Sequence, residues 1–277
     1  MKLPVSYLFV PGDRPDRFAK ALASGAHAVI IDLEDAVSPG GKADARQHIR
    51  AWLATQQPFD ARILVRINDA STSWFDTDLA VVSECAIGGV VLPKAERPAD
   101  IARVTKALPR EGLVVPIIET ARGVLGVDEL AAAERVQRFA FGTLDYAVDL
   151  GLSGDERGLA YPACRMAIAS KAAGIAAPIA GVTTEIDNEA KLEADLAFAR
   201  ACGFGAKLCI HPRQLASTHR AFAPTADEIA WAQRVMAAVE SGRGAVQVDG
   251  KMVDRPVILH AQAILERAGA ILARPRA

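Results

Sequence analysis

Short apolar runs rich in β-branched residues recur along the chain, and each is followed by a segment with helical spacing. The runs are continuous rather than alternating, which is typical of parallel strands that are buried on both faces. Most of them begin at the spacing expected of successive βαβ units. The eight runs span residues 7–10, 28–33, 63–67, 89–92, 114–118, 138–141, 178–182 and 207–210. This pattern predicts an α/β fold, a (β/α)8 TIM barrel.

The segments between the runs favour helices, because Ala, Glu and Arg recur there at helical spacing. Clear examples span residues 16–24, 42–55, 99–108 and 189–202. The alternative fold is an open doubly wound sheet, which would favour a glycine-rich turn after the first strand. That turn reads Pro-Gly-Asp-Arg-Pro over residues 11–15, so it lacks the dinucleotide-binding fingerprint. The barrel is therefore the better prediction.

Two segments of the chain are additional to the eight βα units of a barrel. Residues 146–158 form an insert after the sixth strand, and we expect the next helix to begin at Tyr161. We place the barrel domain at residues 1–222 and a C-terminal helical extension at residues 223–277. The extension has helical spacing over 226–241 and 256–269, with a turn over 242–250. Its content of Ala, Ile and Leu indicates that it covers apolar surface, on this barrel or on a neighbouring copy.

Charge and composition exclude several classes of partner. Lys plus Arg number 32 and Asp plus Glu number 33, so the net charge of -1 argues against nucleic-acid and membrane-surface binding. No apolar run approaches the ~20 residues that span a bilayer. The first four residues lack the apolar core of a signal peptide, and the four cysteines form no Cys-x-x-Cys pair. We expect a cytoplasmic protein that acts on small molecules.

Charged residues follow the apolar runs at the positions where strands pass into loops. In a (β/α)8 barrel these ends converge on one rim, which carries the chemistry. Carboxylates that are buried together are costly unless a cation neutralises them, and hard oxygen ligands suit Mg²⁺. The charged residues at the strand ends are Asp32, Glu34, Asp35, Arg66, Lys94, Glu119 and Asp145.

Glu119 and Asp145 are the best pair for a metal, since they follow neighbouring strands. A Mg²⁺ ion held by two carboxylates keeps positions for water and for substrate oxygens. Arg66 offers a planar fork for a substrate carboxylate or carbonyl. Structural roles are the alternative to these functional roles: the acidic residues could cap helices, and Arg66 could pair with Asp32. Lys94 could form a Schiff base, or it could pair with a neighbouring glutamate.

Several ordered motifs resemble the citrate lyase beta subunit family, which also contains malyl-CoA and citramalyl-CoA lyases. They are SYLFVPG at 6–12, DLEDAV at 32–37, VRIN at 65–68, LPK at 92–94, IET at 118–120, the Gly142, Asp145 and Asp149 cluster, and GAKLCIHP at 205–212. The resemblance covers essentially the whole chain. It implies a (β/α)8 barrel that uses Mg²⁺ to cleave or form a carbon–carbon bond in 3-hydroxyacyl-CoA thioesters.

The resemblance also implies roles for individual residues. Glu119 and Asp145 match the Mg²⁺ ligands, and Arg66 matches the group that holds the keto-acid oxygens. Asp32, Glu34 and Asp35 would surround the waters of the metal, with Lys94 beside them. The basic residues that match the stretch near the CoA phosphates are Arg14, Arg17 and Lys20.

A lid segment over residues 250–256 also matches the family. Its Asp254 would reach the site of a neighbouring subunit, which implies a homo-oligomer, a trimer or a hexamer. Asp254 or a water molecule is then the candidate proton carrier.

Three alternatives remain open. The family commonly has an arginine immediately before the serine of the first strand, and this chain has Val5 there. That departure favours an aldolase acting on free keto acids. Some relatives hydrolyse malyl thioesters with the same metal, so a malyl-CoA thioesterase is the second alternative. The third is a non-catalytic subunit of a larger lyase complex.

Overall fold

Eight parallel strands close into a barrel in the computed structural model, which describes residues 3–56, 60–109, 111–154, 157–240 and 247–272. The strands follow one another in chain order, and β1 pairs with β8 to complete the ring. They are β1 (Ser6–Pro11), β2 (Ala28–Asp32), β3 (Ile63–Arg66), β4 (Gly89–Leu92), β5 (Leu113–Ile118), β6 (Ala140–Phe141), β7 (Ile179–Ala180) and β8 (Ala206–Cys209). The predicted (β/α)8 barrel is therefore confirmed.

Helices connect the strands and continue beyond the last one. They are α1 (Phe18–Ala23), α2 (Lys42–Ala54), α3 (Phe75–Ser83), α4 (Pro98–Ala107), α5 (Ala121–Leu125), α6 (Val127–Ala131), α7 (Thr143–Leu150), α8 (Arg157–Ala173), α9 (Glu189–Ala201), α10 (Leu215–Phe222), α11 (Ala226–Glu240) and α12 (Arg255–Leu272). The chain divides into two units, Leu3–Thr218 and a C-terminal unit from His219 onward. This division falls within α10, a few residues before the boundary that the sequence suggested.

Side chains along each strand point alternately into and out of the barrel, which produces two separate layers of packing in the first unit. One buried cluster consists of strand residues that point into the barrel, among them Tyr7, Ile30, Val91 and Ile117. The residues between them in sequence point outward and join the apolar faces of the helices in a second, larger cluster. The strands are buried on both faces for this reason, which explains why their sequences read as continuous apolar runs.

Two predicted elements differ from the structure near the sixth strand. The strand begins at Ala140 rather than at Arg138, and the buried Arg138 guanidinium donates to the carbonyls of Pro4 and Ala177. The helix expected from Tyr161 begins at Arg157 and carries Pro162 in its interior. Packing of the partly buried Leu159 against the core favours this earlier start despite the hydrogen bond that the proline removes.

The C-terminal unit has its own small core. Helices α11 and α12 enclose a buried cluster of Ala232, Val235, Ala261 and Ile264. Of the predicted turn over 242–250, residues 249–250 do form a turn, but Gln247–Val248 is a strand, β9, which pairs with β10 (Lys251–Met252) in an antiparallel hairpin. Asp249 and Gly250 join them with φ of 51 and 74, the backbone of a two-residue Asp-Gly turn. The first half of the predicted turn lies outside the described residues.

Among the described residues, no helix is long and apolar enough to cross a bilayer.

The barrel wall closes tightly at Gly88, immediately before β4. The Gly88 backbone N–H donates to the Ile63 carbonyl at 2.7 Å. A Cβ atom at Gly88 would overlap the carbonyl oxygen of Ala61 and lie 2.6 Å from its carbon. Adjacent strands can approach here only because this position has no side chain.

We expect Gly88→Ala to lower the free energy of unfolding by about 1–3 kcal/mol or more, because the added methyl forces the backbone apart. Urea unfolding followed by circular dichroism measures this change. The matched control is Gly40→Ala, where an added Cβ meets nothing within 4 Å and the effect should stay within about 0.5 kcal/mol. Equal unfolding midpoints for the two variants would contradict the proposed close approach.

Candidate active site

A cavity of about 360 Å³ opens at the carboxyl ends of the barrel strands. Its floor contains apolar side chains of the barrel interior and its rim is charged, as expected for the catalytic face of this fold. Five of the residues predicted from sequence line it together: Asp32, Asp35, Arg66, Glu119 and Asp145. The strand-end residues that were separated in sequence therefore converge on one cavity.

Arg66 forms ion pairs with several carboxylates of this rim. Its Nε and Nη2 lie 2.7 and 2.6 Å from the two oxygens of Asp32, which is 1% exposed. Its Nη1 lies 2.9 Å from Oε2 of Glu34, and the guanidinium stacks 4.7 Å from the ring centroid of Phe9. The fork that we expected to face a substrate is thus taken by Asp32, and Nη1 also donates to Asp35 Oδ2 at 3.4 Å. The terminal N–H groups that these carboxylates do not use can meet a ligand.

Asp32 is fixed by the backbone as well as by Arg66. Its oxygens accept hydrogen bonds from the backbone N–H groups of Glu34 and Ala36, at 2.9 and 3.0 Å. Asp32 and Arg66 are also direct register partners at the ends of β2 and β3. Arg66 is therefore held in one orientation before any ligand binds.

Glu119 is buried at the end of β5 and lies against like charges. Burial, with repulsion from Glu34 and Asp145, raises its pKa to about 8. Its Oε1 accepts a hydrogen bond from the Lys94 backbone N–H at 2.7 Å. Lys94 has φ of 46, a left-handed conformation that is costly for a residue with a side chain. In this conformation the Lys94 N–H reaches the Glu119 carboxylate.

Glu34, like Glu119, is a buried carboxyl whose ionised form is disfavoured. Burial is the main cause that raises its pKa to about 7, and the nearby Asp35 and Asp32 act in the same direction. Its Oε1 lies 3.2 Å from Nζ of Lys94. Its Oε2 is buried without an aligned hydrogen-bond donor, although Arg66 lies at ion-pair distance.

Lys94 keeps its charge in this setting. Burial alone would lower the pKa of Lys94, but attraction to Glu34, Glu119 and Asp69 outweighs burial and raises that pKa. A Schiff-base lysine needs the opposite shift, because the amine must be neutral to attack a carbonyl. The pairing with Glu34 is therefore the reading that the structure supports.

Asp145 lies in the first turn of α7 and is half-buried. Gly142, at the preceding helix cap, lies directly against Glu119: a Cβ there would overlap Glu119 Oε2 and lie 2.5 Å from its Cβ. Asp149, one turn after Asp145, accepts a hydrogen bond from the Ala121 backbone N–H at 2.7 Å. These contacts bring the loops after β5 and β6 together at the two proposed ligands.

The donor set fits a divalent cation that is shared with a ligand. Glu34 and Asp145 both raise the cost of ionising the buried Glu119, and a cation would relieve that cost. Within the described residues no cluster of three or more carboxylate, thiol or imidazole side chains is arranged to hold a metal. The protein would supply Glu119 and Asp145, and water or substrate oxygens the remaining positions.

The predicted basic residues that follow β1 do not line this cavity. Arg14, Arg17 and Lys20 are exposed on the turn and helix that follow β1, and Arg14 pairs with Asp16 at 3.0 Å. Asp254 belongs to the C-terminal unit, where its Oδ1 accepts a hydrogen bond from the Val257 N–H and caps α12. Their contacts with a cofactor or substrate remain predictions.

Some site residues were missed by the sequence analysis. Phe9 supplies the aromatic face under Arg66, and Thr143 lines the cavity beside Gly142. Phe9 comes two residues after Tyr7 in β1, so the two-residue period of a strand could have placed both side chains on the inward face. Thr143 has no comparable signal, since its position depends on how the loop after β6 turns.

Comparison with known proteins gives matches over nearly the whole chain. Residues 5–212 match the family described as HpcH/HpaI aldolase/citrate lyase. A citrate lyase subunit beta-like protein of Mycobacterium tuberculosis is 38% identical over 271 residues, covering 95% of each chain. A (3S)-malyl-CoA thioesterase of Cereibacter sphaeroides is 34% identical over 276 residues, covering 97% of this chain and 95% of that protein.

Solved structures agree with the sequence matches. The protein CitE of Mycobacterium tuberculosis, in complex with magnesium, acetoacetate and coenzyme A, superposes with a TM-score of 0.83 at 36% identity. The alignment covers 96% of this chain and 98% of that chain. RipC of Yersinia pestis superposes with a TM-score of 0.71 at 30% identity, covering 82% of this chain and 98% of that chain.

We expect Gly142→Ala to lower Mg²⁺ affinity by about 10- to 100-fold, because the added methyl displaces the Glu119 carboxylate. Isothermal titration with Mg²⁺ measures this. Gly40→Ala is again the control and should bind Mg²⁺ as the wild type does. Unaltered Mg²⁺ affinity in Gly142→Ala would show that the Glu119 carboxylate is not a ligand.

We also expect the stability of the metal-free protein to fall as the pH rises from about 4.5 to about 8, the ordinary and the raised pKa of Glu119. Over that range the folded state keeps a proton that the unfolded chain has released, so rising pH favours unfolding. A cation binds only the ionised carboxylates. The increase in Tm caused by Mg²⁺ should therefore grow between about pH 6 and about pH 8.

Thermal unfolding with and without Mg²⁺ at several pH values tests this linkage. Glu119→Gln should abolish the growth of the Mg²⁺ effect with pH, whereas Glu129→Gln, at an exposed carboxylate of α6, should leave it intact. A Mg²⁺ effect in the wild type that does not vary with pH would contradict the linkage.

Proposed function

The chain belongs to the HpcH/HpaI aldolase/citrate lyase family, and we propose that it is a Mg²⁺-dependent enzyme that cleaves or forms a carbon–carbon bond in 3-hydroxyacyl-CoA thioesters. The malyl-CoA and citramalyl-CoA type is the substrate class that we propose. The observation that carries the proposal is the convergence of Glu119, Asp145 and Arg66 on one cavity. CitE, crystallised with magnesium, acetoacetate and coenzyme A, supports it over nearly the full length of the chain.

Glu119 and Asp145 would hold the metal. When bound, Mg²⁺ supplies Lewis-acid polarisation of a substrate oxygen. Arg66, clamped by Asp32 and stacked on Phe9, would donate its remaining terminal N–H groups to the oxygens of the hydroxy or keto acid. Because its orientation is fixed beforehand, binding requires little reorganisation of the guanidinium.

Bond cleavage requires two proton movements. The 3-hydroxyl group loses a proton as the adjacent carbon–carbon bond breaks, and the departing thioester enolate gains one. We assign the proton carrier at the enolate carbon to Asp254 of a neighbouring copy or to a water molecule. The Asp254 alternative needs a homo-oligomer, which we propose as a trimer or a hexamer.

The CoA part of the substrate needs cationic partners for its phosphates. Arg14, Arg17 and Lys20 are exposed on the loop and helix that leave the carboxyl end of β1. The strand end places them on the same face of the barrel as the cavity. We propose that this basic stretch binds the CoA phosphates.

Thioester hydrolysis is the second candidate, because (3S)-malyl-CoA thioesterases of Cereibacter sphaeroides are 34% identical to this chain. It would use the same metal ligands, with a water molecule directed at the thioester carbonyl. An aldolase acting on free keto acids is the third candidate, favoured by Val5 in place of the arginine common in the family.

Product analysis separates the three candidates. We expect malyl-CoA or citramalyl-CoA to yield acetyl-CoA and an α-keto acid in the presence of Mg²⁺, with the keto acid trapped by phenylhydrazine and no free thiol formed. Release of free CoA thiol without keto acid would identify a thioesterase. Turnover of free hydroxy keto acids but of no thioester would identify an aldolase.

Glu119→Gln and Asp145→Asn are the matched variants for this assay, and both should lose turnover while the barrel remains folded. Glu129→Gln is the control and should keep full activity. If either ligand variant is fully active, the metal assignment is wrong.

A further inference from the structure

A network of buried polar side chains lies behind the acidic rim, on the side of α2 and α3. Lys42, the first residue of α2, is 5% exposed. Its Nζ donates to the carbonyls of Leu33 and Glu34, at 2.8 and 3.0 Å, and to Oδ1 of Asn68 at 2.7 Å. The three acceptors use all three donor positions of the ammonium group.

Asn68 links this ammonium to a buried ion pair. Its side-chain amide donates to the Leu33 carbonyl at 3.1 Å and to Asp78 Oδ2 at 2.7 Å. Asp78 is fully buried, accepts the Asn68 backbone N–H at 2.8 Å, and pairs through Oδ1 with Arg46 at 2.6 Å. Two helices are thereby tied to the ends of β2 and β3.

The carbonyls that Lys42 holds belong to the loop that carries the acidic residues. Leu33 and Glu34 follow the last residue of β2 and lie outside any regular element. The Glu34 backbone N–H donates to Asp32 Oδ1, while its carboxylate lies against Arg66 and Lys94. The backbone position of Glu34 therefore determines where its carboxylate meets both cations.

The contacts continue from Glu34 to the proposed metal ligand. Nζ of Lys94 lies 3.2 Å from Glu34 Oε1, and the Lys94 backbone N–H holds Glu119 Oε1 at 2.7 Å. Lys42 is thus connected to Glu119 through two residues without touching it. A buried charge is costly, and apolar residues of similar volume often stabilise a fold equally well. Fold stability alone gives little reason to use an ammonium here.

We propose that Lys42 is a positioning residue of the active site: by holding the Leu33 and Glu34 carbonyls, it sets the Glu34, Lys94 and Glu119 arrangement that binds Mg²⁺. The inference rests on the proposed function, because it assumes that Glu119 is a metal ligand. Outer groups that orient metal ligands commonly change metal affinity by about 10- to 100-fold when they are replaced. The same range is expected for Lys42.

The test compares Lys42→Met, which keeps the length of the side chain and removes the charge, with the wild type and with Glu119→Gln. Isothermal titration with Mg²⁺ is carried out well below the Tm of each variant, so that a loss of stability does not enter the result. Lys42→Met should bind Mg²⁺ about 10- to 100-fold more weakly. In turnover assays its Mg²⁺ activation constant should rise, and saturating Mg²⁺ should restore most of the kcat. Lys106→Met, at an exposed lysine of α4, is the control and should match the wild type.

If Lys42→Met does not fold, Asn68→Ala serves the same purpose, because it removes one acceptor of the ammonium and leaves every charge in place. A folded Lys42→Met or Asn68→Ala variant that binds Mg²⁺ as the wild type does, with only a lower Tm, overturns the inference and assigns the network to fold stability. If Glu119→Gln also binds Mg²⁺ normally, the metal assignment of the proposed function fails, and this inference fails with it. Weakened binding in Glu119→Gln with normal binding in Lys42→Met overturns the inference alone.

Discussion

Burial of carboxylates at one rim, together with the repulsion between them, governs the chemistry of this site. Glu34 and Glu119 have pKa values raised to about 7 and about 8, and Asp145 contributes to the shift at Glu119. A barrel that brings such groups to one rim must place cations against them. Arg66 and Lys94 provide part of this compensation. The excess negative potential that remains suits a small divalent ion, so the same feature that costs stability without metal provides affinity with it.

The barrel fold brings the charged strand ends together on one rim, although they are far apart in sequence. Each βα unit is specified by nearby residues, but closure of β1 onto β8 brings strand ends from distant parts of the chain together. This is why the barrel and most of the rim could be predicted from sequence. Asp32 and Arg66 end the strands β2 and β3, and Glu119 and Asp145 come shortly after β5 and β6. The rule that parallel strands end on one rim suffices to group these four residues.

What the sequence could not predict depends on contacts between loops and side chains. Three contacts arise only when the loops pack together. They are the ion pair of Asp32 with Arg66, the left-handed backbone of Lys94 and the close approach of Gly142 to Glu119. Lys42 reads as an ordinary helix-start lysine, because its acceptors lie in two separate loops. The Asp249-Gly250 hairpin is a different case: the turn was predicted from the sequence, but the two short strands that flank it were not.

We propose that Glu119 and Asp145 share a divalent metal at the end of β5 and the start of α7. Mn²⁺ has the same ligand preferences and gives an anomalous X-ray signal, so a crystal grown with Mn²⁺ is the first experiment to carry out. One anomalous peak is expected within about 2.2 Å of an oxygen from each carboxylate. A peak bound to other residues, or no peak at this rim despite Mn²⁺ bound in solution, would contradict it.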